Sequence, residues 1–324
     1  MKLFKKKPFG KAAFRRTFMS ALVLNAALLS SVSYGKAVKY DFDGNRYSDL
    51  PVASSWGMGI LSLSGSTLTS KFIAANGTNF DGWSLNTANN HFGPIEDYDG
   101  CGKTELLITN ANGLGIFRLQ YNSMEQIVSV NNGTRLSGGW LFNSKDNKIG
   151  PVGDFDNDGN MEMLISSGWG FGILRVTGNT LACVTAVANG SRIGGWMVNT
   201  ANDEYGPVGN FDGLGQKEIL ISNSWGIGSL KFYNNSLSME SMFGNGTTIG
   251  LFKLNTDNCN LQLAGNFVYN NSRSCLIMTS PEGITAFNFS NNVINVVAQK
   301  QTNSWIGSWK LDMSCNQFGP GRLF

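Results

Sequence analysis

Apolar residues along this chain fall into short extended runs, and none keeps the three-to-four-residue spacing of an amphipathic helix. Residues 150–206 show the pattern once. The stretch 161–166 (MEMLIS) reads as a strand, 173–177 (ILRVT) as a second, closed by Gly178-Asn179, and 181–188 (LACVTAVA) as a third, ended by Asn189-Gly190. A short run at 196–199 (WMVN) completes four strands, while Gly150-Pro151-Val152-Gly153 reads as a lead into the turn at 157–160. Short β-rich runs parted by Asn, Gly and Asp predict an all-β unit of about four strands.

The unit repeats. The turns DYDG from Asp97, DFDN from Asp154 and NFDG from Asn210 each follow a Gly-Pro pair (Gly93-Pro94, Gly150-Pro151, Gly206-Pro207), at steps of 57 and 56 residues. The same turn opens at Asp41 and fades at Asn266, so copies begin at 41, 97, 154, 210 and 266. A unit this small cannot bury a core alone and must stack on its neighbours. Gly-rich strands with aromatics at fixed offsets suit blades packed radially, and the fold class expected for 36–324 is a β-propeller of about five four-stranded blades. Phe318-Gly319-Pro320 begins a further copy. Either residues 309–324 pack beside the first strands and close a five-bladed ring, removing exposed sheet edges, or the array is part of a longer one.

Asn-Gly recurs in register at Asn76, Asn132, Asn189 and Asn245, each time before Thr or Ser. These positions match a glycosylation sequon, but recurrence in register marks a structural turn, where such pairs supply positive φ angles.

Composition changes the picture mainly at the N-terminus. Residues 1–35 hold seven Lys and Arg and no acid, with an apolar run at 19–29 and small residues after it. That is the layout of an export signal; the run is shorter than the ~20 residues of a membrane span. Cleavage is expected after Gly35 or after Ala37, and Arg15-Arg16 fits either a twin-arginine signal or a generic basic region. Of 25 cations only 18 then remain, against 22 acids, a net of −4. No basic stripe is left for a nucleic-acid backbone. The expected location is secreted, periplasmic or cell-surface. Five cysteines leave at least one unpaired, and none has metal-site spacing, so no disulfide framework is expected.

The acidic turns are candidate cation sites. Asp154, Asp156 and Asp158 alternate, and Glu162 sits at the ninth position of the loop. Alternating carboxylates on a tight loop converge hard oxygens, which calcium prefers. The first copy offers Asp41, Asp43, Asn45 and Asp49. The second offers Asp97, Asp99 and Glu105 with Cys101 at the fifth position, and the fourth Asn210, Asp212 and Glu218 with Leu214 there. The fifth (Asn266, Val268, Asn270, Ser274) has lost its charge. The alternative is a solvated Asp/Gly turn.

The order aromatic-Gly-Pro, then D-x-D-x-D-G-x-x-(D/E), then an apolar strand resembles the FG-GAP (VCBS) repeat of integrin-α-like propellers. The residues are Phe92-Gly93-Pro94 with 97–105, Tyr205-Gly206-Pro207 with 210–218, and 154–162 at its fullest. The resemblance implies a structural calcium pinning a hairpin, a role carried to Asp154, Asp156, Asp158, Glu162 and their first-copy counterparts, and a family that spans adhesins, lectins and modules attached to enzymes.

Two aromatic series recur. Trp83, Trp140, Trp196, Phe252 and Trp309 keep an aromatic in every copy, as interblade packing requires. Trp56, Trp169 and Trp225 lie in Ser-x-Trp-Gly-x-Gly and give way to Asn112 and Glu282 elsewhere. They are either further packing residues or exposed platforms for a sugar ring, with flanking glycines that let a partner approach. The chain has a single histidine, His91, no Gly-x-Ser-x-Gly elbow and no P-loop, so catalysis is not expected. The function expected is an exported, calcium-stabilised propeller that binds glycans through repeated sites. The alternatives are a protein-binding adhesion or scaffold propeller, or a non-catalytic module working with a carbohydrate-active enzyme.

Overall fold

The computed structural model describes residues 38–268 and 272–316. The expected signal (1–35), Asn270 and the 318–320 motif lie outside them. Five antiparallel sheets follow one another. Blade one has three strands, Leu50–Ala53, Gly57–Ser64 and Thr67–Ala75. Blade two has four: His91–Glu96, Glu105–Asn110, Gly113–Gln120 and Ser123–Asn131. Blade three repeats them as Lys148–Gly153, Glu162–Ser167, Gly170–Thr177 and Thr180–Ala188. Blade four runs Glu204–Gly209, Glu218–Asn223, Gly226–Tyr233 and Ser236–Gly244. Blade five runs Asn260–Gly265, Cys275–Ser280, Gly283–Ser290 and Val293–Gln301. Each four-stranded sheet is a simple meander in chain order.

The fourth strand is not where the hydrophobic pattern puts it. The Gly-Pro segment, read from sequence as a lead-in, is the first strand of its sheet, and the WMVN run contributes only the two-residue ladder Arg192–Ile193 with Trp196–Met197. Proline cannot donate to a ladder and argues against a strand. Here a shift in register between Ile149 and Val152, repeated between Phe92 and Ile95 and between Tyr205 and Val208, places the pair in a bulge. A Cβ on Gly150 would lie 2.9 Å from Leu164 Cδ2, and one on Gly93 2.6 Å from Leu107 Cδ2, so a side chain at either glycine would have to displace a leucine methyl of the next strand.

The first strands of blades two to five lie side by side, and the sheets pack face to face. One continuous core joins Phe72, Phe80 and Trp83 of blade one to Leu106, Ile108 and Phe117 of blade two. The next joins Trp140 and Phe142 to Met163, Ile165 and Leu174, the third Trp196 to Ile219, Ile221 and Phe232, the fourth Phe252 to Leu276, Met278 and Phe287. Burying one such side chain contributes about 1.5–3 kcal/mol, so each junction outweighs what a single sheet could hold alone. The aromatic series is therefore interblade packing in four copies. The fifth differs: Trp309 is 64% exposed. Among the described residues no blade covers it, and a closed ring is not shown. All five cysteines carry free thiols.

Candidate functional site

Trp56, Trp169 and Trp225 sit on matching loops between the second and third strand positions of blades one, three and four, with their indoles exposed. The loop is rigid for a reason legible in its hydrogen bonds. The Asn of each Asn-Gly pair donates Nδ2 to the carbonyl before the tryptophan (Asn189 to Gly168 O, 2.9 Å; Asn245 to Ser224 O, 2.9 Å; Asn76 to Ser55 O, 2.9 Å). Its Oδ1 accepts from the backbone of Thr200, Thr256 or Thr87, and its own N–H donates to the tryptophan carbonyl. The recurring asparagines are thus clamps, with only the following glycine at positive φ (+82° at Gly190). A residue two positions before the ring, Ser54, Ser167 or Asn223, accepts the tryptophan N–H.

The glycine after each tryptophan serves the neighbouring strand, not an incoming ligand. A Cβ on Gly170 would fall 2.1 Å from Val187 O, and the distance is the same at Gly57, Gly113 and Gly226. This explains why the glycine stays where Asn112 or Glu282 replaces the tryptophan.

Two of these loops complete a cleft. Between blades two and three, Trp169 stands edge-on to buried Trp140 (centroids 5.8 Å apart, planes at 84°) beside a cleft of about 800 Å³ that also meets Arg135, Asp146, Asn143 and Ser167. Between blades three and four, Trp225 meets Trp196 in the same way (5.7 Å, 90°) over about 300 Å³, with Arg192, Asn223 and Met242 around it. Arg135 and Arg192 occupy one repeat position and each donates to a turn carbonyl of its own hairpin, Gly139 at 2.8 Å and Gly195 at 3.0 Å. The hairpin at the first cleft carries one extra residue: the Arg135–Leu141 bridge replaces the two-residue ladder, and Ser137 instead bridges Ala182 of blade three. An exposed indole over an aromatic floor, rimmed by guanidinium, amide and hydroxyl groups, can stack a flat apolar face and bind hydroxyls at its edge. Sequence reading named the tryptophans and missed the arginines, whose shared repeat position was the available signal. His91 lines a separate cleft with Phe92, Leu107 and Thr109.

The acidic turns contain a group that the spacing did not reveal. Arg175, cross-strand from Glu162, donates Nε to Glu162 Oε1 at 2.8 Å and pairs through its terminal nitrogens with Asp156 and Asp158. Arg118 does the same with Glu105 (3.0 Å) and Asp99, and Lys231 with Asp212 (2.7 Å). In blade one the cation is Lys71, on Asp43, from the following strand. In blade five the turn carries no carboxylate and its partner position is the uncharged Asn288. The ninth-position acid ties the turn to the sheet: it accepts the N–H of Phe42, Tyr98, Phe155 or Phe211 in the four charged copies. Burial pushes Glu162 up to about 7 and Glu105 and Glu218 up to about 8, the backbone amide or the cation pulling the other way.

Three of the turns gather enough donors for a metal ion. Asp154, Asp156 and Glu162 each bring one oxygen within 4.8 Å of the others, as do Asp41, Asp43 and Asp49, and Asp97, Asp99, Cys101 and Glu105. Each keeps one buried carboxylate oxygen without a hydrogen bond: Asp154 Oδ1, Asp49 Oδ1 and Asp97 Oδ1. Asp158 stays outside its cluster, accepting from Asn160. Asn45 is likewise bonded to Asp43 and Tyr47. In the fourth turn Glu218 Oε1 is likewise buried without a hydrogen bond, Lys231 pairs with Asp212, and Asn210, an amide in place of the first carboxylate, is bonded to Ser272 and Gly215.

No protein-family model and no curated protein matches the chain. Solved structures do. A lectin from Agrocybe aegerita, described as recognising non-reducing terminal N-acetylglucosamine, superposes with a TM-score of 0.55 at 14% identity, covering 81% of this chain and 64% of the lectin. This chain therefore spans somewhat under two thirds of the lectin's length. A Photorhabdus luminescens Tc holotoxin pore gives 0.47 at 13% identity over 88% of this chain and 12% of the toxin chain. A 6-phosphogluconolactonase-type protein from Bacteroides fragilis gives 0.41 at 12% over 76% and 65%. What the lectin shares with this chain is its fold: all-β, of the propeller type.

Proposed function

We propose that the protein is a glycan-binding module whose sugar sites are the two clefts at Trp140–Trp169 and Trp196–Trp225. The observation that carries this is the pair of exposed indoles on clamped loops, each above a buried aromatic and beside an arginine. A preorganised ring loses little entropy on stacking, and an oligosaccharide offers the alternating apolar faces and hydroxyls that such a cleft fits. The lectin with the related fold supports the choice of ligand class. Two weak sites on one rigid body would act together on a multivalent surface, raising avidity by about 10²–10⁴. Fluorescence titration with N-acetylglucosamine oligosaccharides tests it: a saturable change, absent in a Trp169→Ala, Trp225→Ala double variant of unchanged fold, is expected. An equal response from both proteins would refute the site.

The proposal extends to export through residues 1–35 and to an FG-GAP-like calcium site in the third turn. There Asp156, Asp158 and Glu162 pair with one guanidinium and Asp154 adds a fourth carboxylate whose Oδ1 is free, so three formal negative charges remain. Asp154, Asp156 and Glu162 would hold the ion, which would draw the turn onto the sheet by neutralising that charge. The first and second turns are weaker versions.

A further inference from the structure

Every junction in the molecule is built from two faces. The trailing face of a blade offers the hairpin aromatic and an apolar residue three before it, or four in blade two with its longer hairpin: Trp83 with Phe80, Trp140 with Leu136, Trp196 with Ile193, Phe252 with Ile249, all buried. The leading face of the next blade offers two apolar positions on its second strand and one cross-strand pair from its third and fourth. In blade three these are Met163, Ile165, Val176 and Leu181, in blade two Leu106, Ile108, Leu119 and Met124, all buried.

The same positions in blade one are Leu50, Val52, Leu63 and Leu68. They are apolar and exposed, Leu63 at 66%. The trailing face of blade five likewise exposes Trp309, Ile306 and Trp305. Trp56 belongs to this set, because Trp169 and Trp225 in its position each meet the hairpin tryptophan of the preceding blade. One chain thus carries both halves of a junction it makes elsewhere four times, with neither half covered among the described residues. Apolar patches of this kind mark interaction surfaces.

We propose that the trailing face of blade five docks on the leading face of blade one of a second copy, head to tail, with Trp309 against Trp56. The occupant follows from continuity. The complement of each face is the other, in a geometry the chain repeats internally. Such a contact is heterologous: each copy keeps one free face of each kind, so assembly continues unless the ring closes.

Sedimentation of the purified chain over a concentration series, with two variants, tests it. Leu63→Asp spoils the leading face and Trp309→Asp the trailing face; both side chains are exposed in the single chain, so its fold is kept. The wild-type chain is expected to associate with concentration, each variant alone to stay monomeric, and an equimolar mixture to form a one-to-one heterodimer and nothing larger. In that mixture only one intact pair of faces exists. A monomer at every concentration would overturn the proposal, whether Trp309 is open to a collisional quencher or shielded by closure within its own chain. So would a mixture that stays monomeric while the wild type associates.

Discussion

At the scale of single residues, the acidic turns show how far spacing alone can carry an inference. The alternation of Asp154, Asp156 and Asp158 with Glu162 was readable, and so was its decay in the fifth copy. The cation was not, since Arg175 lies 13 residues beyond Glu162 and meets it only through hairpin register. Aligning the copies would have exposed it, because Arg118, Arg175 and Lys231 share one position, and Asn288 replaces the cation in the copy whose turn has lost its carboxylates. Replacing Arg175 with Met leaves Glu162 buried and short of a partner. In chelator-treated protein this should cost about 3 kcal/mol of unfolding free energy, the usual penalty for breaking a buried pair from one side; urea denaturation measures it, and a cost near zero would mean that the guanidinium is incidental. Calcium is the complementary test. It should raise the melting temperature of the wild type, and Asp154→Asn should remove most of that rise. An unchanged melting temperature in calcium and in chelator would leave the turn to arginine alone.

At the scale of strands and loops, the three later strands of each blade were legible because their apolar runs are bounded by Asn and Gly turns. The first strand was hidden by its own Gly-Pro pair, whose proline normally excludes a strand; only the bulge reconciles the two. The Trp-Gly loops were half legible. Their glycines suggested room for a partner, whereas the structure spends that room on the adjacent strand: Gly170 faces Val187 O and Ala188 Cα with no space for a methyl group. Gly170→Ala should therefore destabilise the protein by about 1–3 kcal/mol, as overpacking does. It should also weaken sugar binding at the Trp169 cleft more than at the Trp225 cleft. Thermal unfolding gives the first quantity and titration of single-site variants the second. A neutral substitution would mean that the hairpin is looser than its geometry indicates.

At the scale of the whole molecule, the period of about 56 residues was enough to predict stacked all-β blades, and the observed sheets follow it copy by copy. Closure was not readable, because it depends on how the first and last faces meet. Blade one has three strands, Trp309 is exposed, and residues 317–324 lie outside the described residues. The same repetition sets the number of sites: a tryptophan faces a hairpin tryptophan at two junctions, while Asn112 and Glu282 occupy its position at two others. The most direct measurement of the central claim is a glycan array probed with the wild type, Trp169→Ala, Trp225→Ala and the double variant. The account predicts binding to a related set of sugars, weakened in each single variant and lost in the double one through the loss of paired sites. Undiminished binding by the folded double variant, or no binding by the folded wild type, would contradict it.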